Sequence, residues 1–179
     1  MKNKNKISQL DKKHFIIIRN NVEFFLQKCG QKYDSKGLLL DIAPQDYQGA
    51  KPYFPQATVH TLDINPASAA TYIADLCHNN HHLIPNNYYD FVVCTEVLEH
   101  TLNPFAAIKE IYRILKNKGL VFITVPFNFR IHGPQPDCWR FTFQGIKVLL
   151  SKFNIIDVQE TETPNRWLMP IHYQITAQK

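Results

Sequence analysis

Glycine is scarce in this chain, with six residues in 179, and cysteine is scarcer, with four. No GxGxxG follows the first apolar segment that reads as a strand, so a nicotinamide dehydrogenase, which the alternation of elements would otherwise suit, lacks its fingerprint. Cys29, Cys77, Cys94 and Cys138 are scattered without a CxxC pair. That excludes a disulfide framework or a zinc knuckle and leaves reduced thiols as the expectation. No apolar run approaches the roughly 20 residues that span a bilayer, and residues 1–11 lack the apolar segment of a secretory signal. A cytoplasmic location without membrane association is therefore expected. The net charge of +5 owes much to Lys2, Lys4, Lys6, Lys12 and Lys13, and no basic stripe interleaved with aromatics follows them. Residues 1–13 read as a flexible, solvated basic leader, and no nucleic-acid partner is expected.

What is present is an ordinary globular balance, 45% hydrophobic and 20% charged, with room for one domain at 14–179. His14 to Lys28 carries apolar residues at helical spacing and is expected to stop near Cys29-Gly30. Gly37 to Ile42 reads as a buried strand closed by Pro44, followed by strands at 57–63 and 71–75. Asp41, Asp63 and Asp75 thus all fall at strand ends. Tyr89 to Thr95 has the unbroken apolar run of a central parallel strand. Asn103-Pro104 starts an amphipathic helix, and Lys116-Asn117-Lys118-Gly119 is expected to end it before a strand at 120–125. A helix at 142–151 and strands at 154–159 and 172–177 complete the pattern. Repeated βα alternation with short connections implies an α/β, doubly wound sheet with helices on both faces.

Two segments hold the chemistry. Thr95-Glu96-Val97-Leu98-Glu99-His100 places two carboxylates and an imidazole just past the carboxyl end of a strand, the edge at which open α/β sheets bind ligands. Residues 126–141 lack periodicity but contain His132, Asp137, Trp139 and Arg140, as a functional loop would. Cys77-His78 with His81-His82 sits among Asn79, Asn80, Asn86 and Asn87 and reads as a polar surface loop, so no metal site is expected.

Taken together, the strand ending at Asp41, the LDINP segment at Asp63, the Asp75-Leu76 step, YDFVVCTEVLEH and RILKNKGLVFIT resemble class I S-adenosylmethionine-dependent methyltransferases, from about Leu38 to the C-terminus. The stretch containing His132-Gly133-Pro134 and Trp139-Arg140-Phe141-Thr142 is similar to a subgroup associated with sugars and cell-surface polysaccharides. The resemblance implies a Rossmann-like α/β/α sandwich of seven mostly parallel strands, order 3-2-1-4-5-7-6, with the last antiparallel. It also implies S-adenosyl-L-methionine as cofactor and methyl transfer to an oxygen of a small molecule such as a sugar or glycoconjugate intermediate, by a monomer or homodimer.

By the same resemblance, Asp63 with Ile64 meets the ribose, Asp75 with Leu76 meets adenine, and Asp41, Ala43, Cys94, Thr95 and Glu96 meet the methionine and sulfonium end. His100 and the rival His132 are the candidate bases. His132, Asp137, Trp139 and Arg140 are the candidate acceptor contacts, and Arg166, Trp167 and His172 are possible additions to the pocket wall. Each has an alternative: an Asx-turn for Asp63, a turn for Asp75, a helix cap on Glu96 or Glu99 for His100, core packing for Trp139, and an Arg140–Asp137 lock. One departure stands out. The family's alternating glycines are replaced by Asp41-Ile42-Ala43-Pro44-Gln45-Asp46-Tyr47-Gln48-Gly49, and Pro44 has no amide hydrogen to offer. The methionine carboxylate would then rest on amides near Gln45 and Asp46 or on a nearby side chain. A non-catalytic, methyltransferase-like binding or scaffold protein is the alternative that this loop raises.

Overall fold

The computed structural model describes residues 7–44 and 48–179. Its elements are helix α1 (Gln9–Tyr33), strand β1 (Gly37–Ile42), a short 3-10 helix (Lys51–Tyr53), β2 (Ala57–Asp63) and β3 (Tyr72–Ile73). Then come β4 (Tyr89–Thr95), a 3-10 turn (Leu98–His100), α2 (Pro104–Ile114), β5 (Leu115–Pro126), α3 (Phe143–Leu149), β6 (Asn154–Thr163) and β7 (Arg166–Gln178). They build one seven-stranded sheet of order β3-β2-β1-β4-β5-β7-β6. Strands β1 to β5 pair in parallel, whereas β7 runs antiparallel to both β5 and β6.

Side chains alternate across a strand, so a sheet buried on both faces needs apolar residues at nearly every position. Leu39, Phe91, Val93 and Phe122 face α1, packing with Phe25, Leu26, Cys29 and Phe54. Leu40, Val92, Cys94, Val121 and Ile123 face the other way, onto Ile108, Ile111 and Ile114 of α2 and Ile146 and Leu149 of α3. Each fully buried side chain of this size contributes roughly 1.5–3 kcal/mol. Among the described residues no helix is long and apolar enough to cross a membrane.

Several boundaries differ from the sequence reading: β3 is only Tyr72–Ile73, so Asp75 lies past its end, α3 is shorter than expected, and β5, β6 and β7 are longer; the ends of α1 and α2 differ for reasons the contacts show. Helix α1 starts at Gln9, where the Ser8 hydroxyl accepts from the Asp11 amide at 3.0 Å, so residues 9–13 of the expected leader are helical. Residues 1–6 lie outside the described residues. The same helix passes through Gly30 to Tyr33, because that glycine is a contact and not a stop: a Cβ there would stand 2.0 Å from the Tyr53 carbonyl oxygen. Helix α2 ends at Ile114, and Leu115 already pairs with Tyr89 ahead of an irregularity in register. Lys118, with φ of 66°, takes the left-handed position expected of Gly119.

Candidate active site

The carboxyl ends of β1, β4 and β5 meet at one edge of the sheet, and the antiparallel β7 enters there, pairing His172 with Pro126. A cavity of about 610 Å³ opens at this edge. Asp41, Ala43, Thr95, Glu96, His100 and His132 contribute to its lining, and α1 supplies Ile18, Val22, Glu23 and Leu26.

Asp41 sits at 2% exposure at the bottom of the first loop. Its Oδ2 accepts from the Ala50 amide at 2.6 Å, and Gly49 passes so close that a Cβ there would lie 2.1 Å from that oxygen. Burial pushes the Asp41 carboxyl up to about 6 despite the amide. Ala43 holds a φ of 51°, where the family pattern would favour glycine, and its amide donates to the Leu62 carbonyl. Gln45, Asp46 and Tyr47, including the amides expected at the methionine carboxylate, lie outside the described residues.

Asp63 and Asp75 both occupy Asx turns. Asp63 Oδ1 accepts from the Asn65 amide at 2.8 Å and Asp75 Oδ1 from the Cys77 amide at 2.8 Å. These turns fix each carboxylate through one oxygen. Beside Asp63 the Ile64 side chain is 66% exposed, an apolar face with no protein neighbour covering most of it, while Leu76 is buried. Neither acid lines the 610 Å³ cavity: Asp63 is buried at 8% exposure at the end of β2, and Asp75 lies in the turn beyond β3.

After β4 the backbone turns sharply: Glu96 adopts φ of 54° and its amide donates to the Thr124 carbonyl. Glu96 Oε1 accepts from the Thr124 hydroxyl at 2.9 Å and lies 2.7 Å from His172 Nε2. Burial works to raise the Glu96 carboxyl, but His172 and Thr124 outweigh it and hold it below the usual glutamate range. Cys94, fully buried with its thiol pushed up by burial, is packing and offers only its backbone.

The 3-10 turn brings Glu99 Oε1 to 3.8 Å from His100 Nε2. His100 Nδ1 donates to the Pro136 carbonyl at 2.8 Å, which fixes the ring and, in the neutral form, leaves a lone pair on Nε2. His132 lies across from it, ring centroids 4.8 Å apart, with its Nδ1 donating to the Arg130 carbonyl at 3.3 Å and 3.1 Å from Asp137 Oδ2. Burial, followed by His100, lowers the His132 imidazole despite Asp137 beside it. Glu99 is fully buried, and neither of its carboxylate oxygens has a hydrogen-bond partner among the described residues. Burial and the neighbouring Glu96 push it well above the usual range.

The loop after β5 is held by the ion pair foreseen as the alternative. Arg140 Nη2 donates to Asp137 Oδ2 at 2.8 Å and Nη1 to Oδ1 at 2.5 Å, with further bonds to the carbonyls of Phe129, Arg130 and Trp139. The Asp137 side chain is fully enclosed, so these two residues position the loop and leave Asp137 no face for an acceptor. Trp139 donates from Nε1 to the Thr101 carbonyl and stacks on Phe141, while 41% of it stays exposed. Trp167 is 88% exposed on β7 and Arg166 is exposed beside it. His172, reached only as a pocket-wall candidate from sequence, is instead the buried partner of Glu96. Glu99 entered the sequence reading only as a possible partner of His100, and the α1 wall had no assigned role. Two acids, Glu96 and Glu99, in one short turn do not reveal which will be buried, and helical periodicity identifies a buried face without saying that it lines a cavity.

Comparison with known proteins gives this geometry a context. A family model described as "Methyltransferase domain" matches residues 21–170. An uncharacterized protein of Methanocaldococcus jannaschii is 47% identical over 51 residues, 28% of this chain, and the match spans only 22% of that protein's length. Among solved structures, an S-adenosylmethionine-dependent methyltransferase of Methanosarcina mazei superposes with a TM-score of 0.61 at 17% identity, over 81% of this chain and 93% of that one. The 1,6-didemethyltoxoflavin-N1-methyltransferase of Burkholderia thailandensis, solved with 1,6-didemethyltoxoflavin and S-adenosylhomocysteine, gives 0.63 at 14% identity over 97% and 92%. These two likenesses speak for the fold, and the family match, which takes in more than four-fifths of the sequence, speaks for descent: the chain belongs to the methyltransferase domain family.

Proposed function

We propose that this protein transfers the methyl group of S-adenosyl-L-methionine to an oxygen of a small molecule, such as a sugar or glycoconjugate intermediate. The observation that carries the reading is the pair of imidazoles, His100 and His132, standing 4.8 Å apart on the wall of the cavity that Asp41, Thr95 and Glu96 close from the strand side. The residues present suit the cofactor chemically. Asp63 is an acid for a ribose diol beside the exposed apolar Ile64, Asp75 with Leu76 offers an acceptor and an amide for adenine, and Asp41, the Cys94 and Thr95 carbonyls and Glu96 give anionic or acceptor groups for an ammonium and a sulfonium.

When bound, the cofactor supplies an electrophilic methyl on a departing thioether. The chain's task is then to align the acceptor and exclude water, an effect worth about 7–11 kcal/mol in favourable cases. A hydroxyl acceptor also has a proton to lose, and an imidazole with a free Nε2 lone pair beside it is suited to take that proton. Trp139, 41% exposed at the rim, offers a stacking face for a sugar, and the Asp137–Arg140 pair holds the loop that carries it.

The test is the behaviour of His100→Ala and His132→Ala in a methyl-transfer assay against a panel of hydroxylated small molecules, with S-adenosylhomocysteine affinity measured in parallel. Turnover should fall about 100-fold or more while cofactor affinity changes little. Unchanged turnover in both variants would remove the imidazoles from the reaction.

A further inference from the structure

We propose that Glu99, His100 and His132 form a binding site for a divalent first-row transition-metal ion on the wall of the cavity. The inference rests on the methyl-transfer reading above and assigns the two imidazoles to the ion in place of direct proton transfer.

One carboxylate oxygen of Glu99, His100 Nε2 and His132 Nε2 mark the site: one ligand atom from each residue lies within 4.8 Å of the other two. Glu99 Oε1 stands 3.8 Å from His100 Nε2 and 4.0 Å from His132 Nε2. Ligands on one tetrahedral ion, at bonds of about 2.0–2.2 Å, stand roughly 3.3–3.6 Å apart, so closing on an ion takes shifts below about 1 Å.

Two independent features point the group at a cation. Glu99 is completely buried, yet both of its oxygens are without a hydrogen-bond partner among the described residues, an arrangement that is costly unless something positive fills the gap. Both imidazoles also have their far nitrogen engaged. His100 Nδ1 donates to the Pro136 carbonyl, and His132 Nδ1 donates to the Arg130 carbonyl beside the Asp137 carboxylate. Such bonds select the tautomer whose Nε2 lone pair is free, the arrangement that orients histidine ligands in metal sites. The nearby cation, Arg140, is engaged with Asp137.

The ligand set selects the class of ion. Two imidazoles and one carboxylate suit zinc, manganese, iron(II) or cobalt, whereas calcium and magnesium prefer all-oxygen cages. Three protein ligands leave positions open, and an acceptor hydroxyl is the group of the proposed reaction that would enter one of them. There the acceptor O–H bond breaks with its proton leaving to water, the O–CH₃ bond forms as the S–CH₃ bond breaks, and the metal keeps its charge throughout.

The test is cobalt(II) titration of the chelator-stripped full chain, followed by visible absorption and calorimetry, on the wild type, Glu99→Gln and a His81→Ala/His82→Ala control. The control removes the exposed histidine pair next to Cys77 and His78, which lies apart from the cavity. Saturation at one ion per chain, at least about tenfold weaker binding in Glu99→Gln and an unchanged isotherm in the control would support the site. Absence of a saturable band, an unchanged isotherm in Glu99→Gln, or loss of binding in the control would overturn it. Thermal stabilisation by S-adenosylhomocysteine is read on the same samples. If it persists without a cobalt band, the metal inference alone fails; if it too is absent, the methyl-transfer reading fails.

Discussion

Glu96 and His172 lie 2.7 Å apart, joining the turn after β4 to the middle of the antiparallel β7, at the point where it begins to pair with β5. His172 is fully buried, so its removal would strand Glu96 without its main partner. His172→Ala should cost about 1–3 kcal/mol, as leaving a buried acceptor without its hydrogen-bond partner does, and His172→Gln, which restores a donor, should cost less. Urea midpoints at neutral pH compare the two.

The same pair sets an acid limit on stability. The folded Glu96 carboxyl lies below its ordinary value of 4.5, so its contribution is present above about pH 4.5 and is lost as pH falls through the depressed folded value. In His172→Gln this acid loss should be smaller. Denaturant unfolding followed between pH 3 and 7 reads the difference in slope.

Asp41 works in the opposite sense. Its folded carboxyl is raised from 3.8 to about 6, so the folded chain holds the proton more tightly than the unfolded chain, and stability declines as pH climbs from about 4 to 6. Asp41→Asn keeps an acceptor for the Ala50 amide and removes the buried charge. At pH 7 it should raise stability by about 2–3 kcal/mol and flatten the decline, as the same denaturant series would register. If an ammonium group of the cofactor binds beside Asp41, the variant should also bind S-adenosylhomocysteine more weakly, a stability gain opposed to function.

Arg140→Lys keeps the charge but loses the two-pronged bond to Asp137 and most of the carbonyl contacts to residues 129, 130 and 139. The expected stability loss is about 1–3 kcal/mol. Because His132 is carried on the loop so held, turnover should fall more than cofactor affinity does; equal losses in both would argue that the lock serves the whole site.

Much of the architecture was legible because parallel strands buried on both faces need long apolar runs, and Tyr89–Thr95 has one. The cap at Asn103, with its side chain accepting from the Ala106 amide, was equally plain. The role of Gly30 was not, since the close approach of Tyr53 comes from a segment more than twenty residues away in sequence. In the site, Asp41, Thr95, Glu96, His100 and His132 were found from strand ends and motif, and they do converge. The burial of Glu99 and the pairing of His172 with Glu96 depend on tertiary contact across 76 positions, for which no local pattern exists.

The central claim is that the ends of β1, β2 and β4 hold S-adenosylmethionine despite a first loop with Pro44 where an amide donor would help. Calorimetric titration of the full chain with S-adenosylhomocysteine tests it most directly. The account predicts one saturable site per chain at micromolar concentration, weakened at least about tenfold by Asp63→Ala through loss of charge-assisted bonds; absence of binding up to millimolar ligand would contradict it and leave a methyltransferase fold serving a non-catalytic role.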